Sequence, residues 1–404
     1  MTSPHRSGQY VRQALGPASY QAFLPNPLPP DPPIRFTPEI QQLLSDADRA
    51  LGRLDGVASV LPNPDLFVAM YVRHEAVLSS QIEGTQSTLE DVLAFEAQGK
   101  ARGQPDDVEE VVNYVAAMNH GLRRLPGLPL SLRLLREIHE RLLKGVRGNQ
   151  HQPGQFRTSQ NWIGPSGCTL KEADFVSPPP HELNKILGDF ERFLHDRISL
   201  PLLVHVGLAH AQFETIHPFL DGNGRVGRLL ITLLLCERGI LRKPLLYLSS
   251  YLNAHRAQYY DRLTAIRNDG DWEGWLQFFL KGVREVGTTA TQTARSILDL
   301  RETHRQQVGQ LSGAANALRL LDFLYDHPVL SIRMAERHLS CAYATAAKTV
   351  EDLQSLGILA EVTGRQRNRQ YRFEPYLDLF HRQGLDEAPD DPPSTQPTPQ
   401  ATRT

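Results

Sequence analysis

Residues 213–228 read Phe213-Glu-Thr-Ile-His217-Pro-Phe-Leu-Asp221-Gly-Asn-Gly-Arg225-Val-Gly-Arg228. Before this stretch, Leu202, Leu203, Val206, Leu208, Ala209 and Phe213 fall near helical spacing, and after it Val226, Leu229, Leu230 and Ile231 do the same. The stretch is therefore the corner of a helix–turn–helix, and it points to a mainly α fold. Pro218 stops the first helix and leaves His217 at the rim of the corner. The turn at Gly222, Asn223 and Gly224 opens the second helix. Its unpaired amides and its dipole, equivalent to about half a positive charge, suit a phosphate.

The side chains around that turn point to one kind of chemistry. Arg225 and Arg228 stand at i and i+3, so both project near the same helix end and can fork onto phosphate oxygens. A histidine with an unperturbed pKa of about 6.5 takes a proton from an attacking hydroxyl near neutral pH. Asp221 is placed to hold a hard cation such as magnesium against phosphates. Together these parts describe group transfer from a nucleotide.

Residues 217–228 match the His-Pro-Phe-x-Asp-Gly-Asn-Gly-Arg-x-Gly-Arg motif position by position, and in this the chain resembles the Fic family. Members with this motif move AMP from ATP onto a Ser, Thr or Tyr hydroxyl of a protein. The resemblance implies that His217 is the general base and Asp221 the magnesium ligand. It makes Gly222, Asn223 and Gly224 the anion hole and Arg225 and Arg228 the phosphate arginines, with Val226 and Gly227 in the same ATP-binding turn.

Two other readings use the same residues. Gly222, Gly224 and Gly227 spell G-x-G-x-x-G, but a dinucleotide site needs a preceding strand and a βαβ unit, and neither is visible. A metal site from His205, His210, His217 and Asp221 lacks His-Glu-x-x-His spacing, and the histidines do not share a helical face. His205 and His210 read as ordinary helix residues.

Working towards the N-terminus, the spacing predicts helices over 131–144, 106–124, 65–83 and 38–53. The helix over 65–83 ends in Ser79-Ser-Gln-Ile-Glu83-Gly84, with Gly84 as a stop and Ser87-Thr-Leu-Glu90 as a capping box for the next helix. Ser79 and Glu83 share one face, which by itself reads as a solvated last turn. The segment also resembles the Ser/Thr-x-x-x-Glu-Gly/Asn inhibitory motif of those Fic proteins that carry one. That resemblance implies that Glu83 pairs with Arg228, takes the place of the γ-phosphate and keeps the enzyme off. Residues 1–37 show little periodicity and end in a proline cluster, so they read as an extended arm.

Helical periodicity disappears between Val146 and Pro180, and a loop this long inside a compact domain is usually functional. Residues 156–164 and 169–176 can form a hairpin like the Fic flap, which holds the target segment by main-chain pairing; Ile163 and Gly164 are its expected tip. Past the corner, the resemblance places an aromatic and an amide against the adenosine. Tyr260 and Asn268 match them, with a core tyrosine and a helix cap as the alternative reading.

The expected helices and hairpin of residues 311–373 resemble a winged helix. Its reading helix would carry Tyr343, Thr345 and Lys348, and its wing Arg365, Arg367, Arg369 and Arg372. Nine basic residues against eight acidic ones between Leu311 and Leu385 leave a net of +1, little for a DNA binder. Docking of DNA or of protein stays open there.

At 404 residues, two or three units are expected. Charged residues at 22% and apolar residues at 40% are ordinary for a chain with a real core, and a net charge of −2 points to neither nucleic acid nor membrane. Cys168, Cys236 and Cys341 suggest neither disulfides nor zinc. No signal-like or membrane-spanning run appears, so the cytoplasm is the expected location.

The expected architecture is an arm (1–37), a helical region with the inhibitory helix (38–105), a Fic catalytic domain (106–308), a winged-helix module (309–384) and a disordered tail (385–404). The expected function is a protein adenylyltransferase using ATP and Mg²⁺. Its acceptor is a protein hydroxyl, its own included, and a homodimer is among the open assemblies. The alternatives are a hydrolase that removes AMP, with Glu83 positioning water, and a transcriptional regulator that senses nucleotide at the corner.

Overall fold

Where the arm was expected to be merely extended, β1 (Gly8–Gln13) pairs antiparallel with β2 (Tyr20–Pro25), Tyr10 opposite Phe23. The computed structural model describes residues 6–14, 19–60, 64–98, 107–165, 167–196, 199–364 and 369–381. The expected disordered tail and the wing arginines Arg365 and Arg367 lie outside these residues. After the first hairpin come five helices, α1 (Pro38–Val60), α2 (Pro64–Ile82), α3 (Leu89–Gln98), α4 (Val108–Arg124) and α5 (Leu132–Leu142). The flap strands β3 (Trp162–Ile163) and β4 (Phe175–Val176) follow, then α6 (Leu183–His195), α7 (Leu202–Ile216), α8 (Asn223–Glu237), α9 (Ser249–Ala254), α10 (Arg256–Asp269) and α11 (Trp272–Gly309). The chain is mainly helical with a few small sheets, as the apolar stripes predict.

Local signals set most helix ends. Ser131 accepts from the Leu134 amide to open α5, Asp271 accepts from the Gly274 amide to open α11, and Gly270 closes α10 in the left-handed conformation. The capping box of α3 is shifted by one residue from its expected place. Thr88 and Asp91 exchange side-chain and amide bonds of 2.9 and 3.2 Å, while the Ser87 hydroxyl is held by Asp107 at the start of α4. Asp107 at the start of α4 takes the Ser87 hydroxyl, which leaves the capping role to Thr88.

Helices α7 and α8 are buried nearly all round and form the centre of the molecule, so the corner between them is fixed from every side. Among the described residues no helix is long and apolar enough to cross a membrane.

The C-terminal module holds α12 (Ala314–Leu324), β5 (Val329–Ser331), α13 (Ile332–Leu339), α14 (Tyr343–Ser355), β6 (Ala360–Glu361), β7 (Gln370–Arg372) and α15 (Glu374–His381). Its sheet is antiparallel in the order β5-β7-β6, and β5 and α15 are additions to the expected elements. The module is anchored on α2. Phe380 packs 5.5 Å from the Tyr71 ring and 5.9 Å from His74, and Arg73 pairs with Glu96 of α3 at 2.7 Å and reaches Asp326 at 3.5 Å. Two of the basic residues expected to read DNA are already engaged, Lys348 by Asp352 and Arg372 by both carboxylate oxygens of Glu374.

Candidate active site at the α7–α8 corner

His217 caps α7 with φ 49° and ψ 59°, a left-handed conformation that is uncommon without glycine. Surrounding bonds over-determine it. The Arg157 Nε donates to the His217 carbonyl at 2.9 Å, Asn161 Nδ2 donates to the same oxygen at 3.2 Å, and the Arg157 amide donates to the Pro218 carbonyl at 2.9 Å. Asn223 then closes the turn with both ends of its amide, accepting from the Phe219 amide and donating to the Phe219 carbonyl, each at 2.8 Å. Gly222, at φ 76°, sits where a side chain would be strained.

His139 of α5 supports the turn from below. Its ring stacks on Phe219 at 3.8 Å, and Nε2 lies 2.9 Å from the Asp221 carbonyl. The Gly154 amide donates to His139 Nδ1 at 2.9 Å, so the proton belongs on Nε2 and donates to Asp221. Burial lowers its pKa to about 4, which keeps it neutral in this role.

His217 is tuned in the same way. Burial lowers its pKa to about 4, against the raising effect of the Glu214 carbonyl 3.3 Å from Nδ1. The imidazole is therefore unprotonated at neutral pH. With Nδ1–H directed at that carbonyl, the Nε2 lone pair remains to take a proton.

Near His217, Arg228 is held through Nε and Nη2. Its Nε donates to the Ser79 hydroxyl at 2.7 Å, and its Nη2 donates to the Ser79 carbonyl at 3.0 Å and to Glu83 Oε1 at 2.6 Å. The Glu83 carboxylate lies over Gly224, where an added Cβ would come within 2.2 Å of Oε1. It thus covers the amino end of α8, the place suited to an anion. Burial would raise the Glu83 pKa, but the Arg228 guanidinium more than offsets this and holds it below the usual carboxylate range. The pair is charged at neutral pH. Glu75, one turn before Ser79 on α2, accepts from the Ser249 amide at 3.0 Å and from the Tyr114 hydroxyl at 3.3 Å, so α2 is bolted into the core.

Residues 41–123 match the Fic/DOC family N-terminal profile and residues 129–235 match the Fic/DOC family profile. The chain carries Fic N-terminal and Fic domains. A Fic family protein from Desulfovibrio desulfuricans has the same fold at 22% identity, with a TM-score of 0.57 over 84% of this chain and 97% of that one. The protein adenylyltransferase Fic of Aedes aegypti is 31% identical over 202 residues, 48% of this chain and 35% of that protein. That of Drosophila grimshawi is 30% identical over 197 residues, 48% and 36% of the two chains. The chain thus spans about a third of the length of these curated relatives.

Within the Fic domain, the two motif arginines do not converge. Arg225, expected to bind phosphate, points into the core and pairs with Glu110 of α4 at 3.0 Å, the side chains 2% and 6% exposed. Val226, expected in the ATP-binding turn, is 0% exposed and belongs to the core. Arg225 therefore ties α8 to α4. Replacing Glu110 with alanine leaves that buried guanidinium with only the distant Asp221 carboxylate, 3.9 Å away, and should lower the unfolding free energy by about 3 kcal/mol in a denaturant titration. A loss below about 0.5 kcal/mol would show the pair to be dispensable.

Asp221 accepts from the Gly222 amide through Oδ1 at 2.6 Å and keeps its side chain 34% exposed. No group of three or more metal-type ligands occurs among the described residues. A single open carboxylate fits magnesium, which needs one or two carboxylates beside substrate phosphates and water. The flap pairs Trp162 with Val176 and Ile163 with Phe175, and Trp162 and Ile163 are each 41% exposed. Gly164 lies so close to Ala173 that an added Cβ would meet its Cα at 3.2 Å. Tyr260 lies where the Glu83 and Arg228 charges reach it, whereas the Asn268 side-chain oxygen accepts from the Tyr10 hydroxyl of β1 at 2.9 Å.

Sequence reasoning missed Arg157, Asn161, His139, Glu110, Glu75 and Glu214. Glu110 and His139 left a trace, each a polar residue inside an apolar stripe, beside Val111 and between Leu135 and Leu142.

Proposed function

We propose that the Fic domain transfers AMP from ATP to a protein hydroxyl and that Glu83 holds it inactive. One observation carries this reading: a neutral histidine base faces a helix amino end whose arginine is neutralised by a carboxylate of the chain itself. The names of the insect relatives agree with adenylyl transfer.

In the transfer, the acceptor hydroxyl attacks the α-phosphorus as His217 Nε2 takes its proton. The bond from the α-phosphorus to the bridging oxygen breaks, and pyrophosphate leaves. The first amides of α8 stabilise the non-bridging oxygens, and Arg228, once released by Glu83, holds the distal phosphates. Asp221 would hold Mg²⁺, which supplies charge neutralisation to the phosphates. The exposed edge of β3 pairs with the main chain of the target, which includes a segment of a second copy.

Label placement tests the reaction class. With the Glu83→Gly protein, ATP labelled at the α-phosphate should mark acid-precipitable protein and release unlabelled pyrophosphate, whereas γ-labelled ATP should leave protein unmarked. Marking from the γ-position would make the protein a kinase and end the adenylyl reading.

A further inference from the structure

Glu214 stands in the last turn of α7, three residues before His217, and the transfer described above gives its side chain no task. It is 7% exposed, and its Oε1 is buried without a hydrogen-bond partner. That oxygen lies against the backbone of α8, where a Cβ added at Gly227 would come within 2.2 Å. The charges of Arg228 and Arg267 reach the carboxyl, yet it makes no ion pair among the described residues. It in turn acts on Tyr259 and Tyr260 of α10. A carboxyl in this position, buried and with Oε1 unsatisfied beside a nucleotide-binding corner, is suited to accept a hydrogen bond from a bound ligand.

The parts of a nucleotide differ in what they can offer it. Phosphates are anionic and would be repelled, and the donor of the base, the adenine amino group, lies at the end of the nucleotide far from the α-phosphate. The ribose hydroxyls are donors, and the sugar is the part next to the α-phosphate, as Glu214 is next to the first turns of α8. We propose that Glu214 receives the ribose hydroxyls of the bound nucleotide and sets a preference for ribonucleotides over deoxyribonucleotides. Gly227 has no side chain because Glu214 fills that space. This inference rests on the reading of the corner as an ATP site.

The test compares ATP, 2′-deoxy-ATP and 3′-deoxy-ATP on the Glu83→Gly protein, by calorimetric binding and by AMP transfer. At least one deoxy analogue should bind about tenfold more weakly, with KM rising and kcat little changed, the loss expected for one hydrogen bond. Adding Glu214→Leu should weaken ATP to the level of that analogue and erase the discrimination. Glu214→Gln, which keeps one acceptor oxygen and the native shape, should fall between, and carries the test if the leucine variant does not fold. Equal binding of all three nucleotides, or discrimination that survives in both Glu214 variants, overturns the assignment. Discriminating binding without AMP transfer would sink the adenylyltransferase reading and leave this one standing, whereas no binding of ATP at all would sink both.

Discussion

Replacing Glu83 by glycine should raise AMP incorporation into protein about a hundredfold over the unaltered chain. The proposed brake is the 2.6 Å contact from Arg228 to Glu83, reinforced by two bonds to Ser79. The Arg228 side chain is 2% exposed and that of Glu83 33%, so the lower end of the range for a broken buried pair, about 3 kcal/mol, applies. That bias leaves about 1% of molecules open, and removing it yields the hundredfold gain. Glycine also clears the space over Gly224, so the distal phosphates meet both the α8 amides and a released guanidinium. Label incorporation with cell lysate measures the change. Unaltered incorporation would mean that Glu83 is no brake, and loss of activity would favour a hydrolase in which Glu83 positions water.

His217→Ala, placed in the Glu83→Gly background, should lower transfer by about three orders of magnitude, within the range for removing a general base. ATP binding by calorimetry should stay within about threefold, because the imidazole makes no bond to the phosphates in this reading. The pH profile of the Glu83→Gly protein adds a second signature. A base works unprotonated, and burial lowers the His217 pKa to about 4. Transfer should therefore stay level from pH 8 down to about 5 and fall only as the medium approaches that pKa, without the decline near pH 6.5 expected of an exposed histidine. A break at the ordinary histidine pKa would show that the ring is solvated during turnover.

The position of the brake limits how it can be released. Glu75 bonds α2 to Ser249 and Tyr114, and Phe380 and Asp326 of the C-terminal module hold its earlier turns. Withdrawing the whole helix would open the core. Fraying only the last turn, around Glu83 and Gly84, breaks few contacts. In the proposed mechanism, relief would act on that turn or on the segment after it, which Asp107 holds through Gln86 and Ser87.

The corner was legible because its information is local. Helical periodicity brackets it and Pro218 and Gly222 set its ends, although Arg157, Asn161 and His139 from distant segments fix His217 and Asp221 in their final places. The helices over 38–53, 65–83, 106–124 and 131–144 were legible for the same reason, since a stripe of apolar residues declares both a helix and its buried face. The β1–β2 hairpin and β5 were not, because neither Gly8–Gln13 nor Tyr20–Pro25 alternates apolar with polar residues and β5 has only three residues.

Tertiary structure alone separated the two arginines. At i and i+3 they look alike, yet Arg228 meets Glu83 across 145 residues of chain and Arg225 meets Glu110 across 115. The Glu83 contact was implied by family resemblance, and local spacing says nothing of either partner. The reason is geometric: positions three apart on a helix differ by about 60° in direction, enough to face two different neighbours. Which neighbour stands there depends on how α2 and α4 pack around α8. Spacing along the chain therefore determined the chemistry available at the corner, and packing between distant helices decided that one arginine became a structural tie to α4 while the other met Glu83.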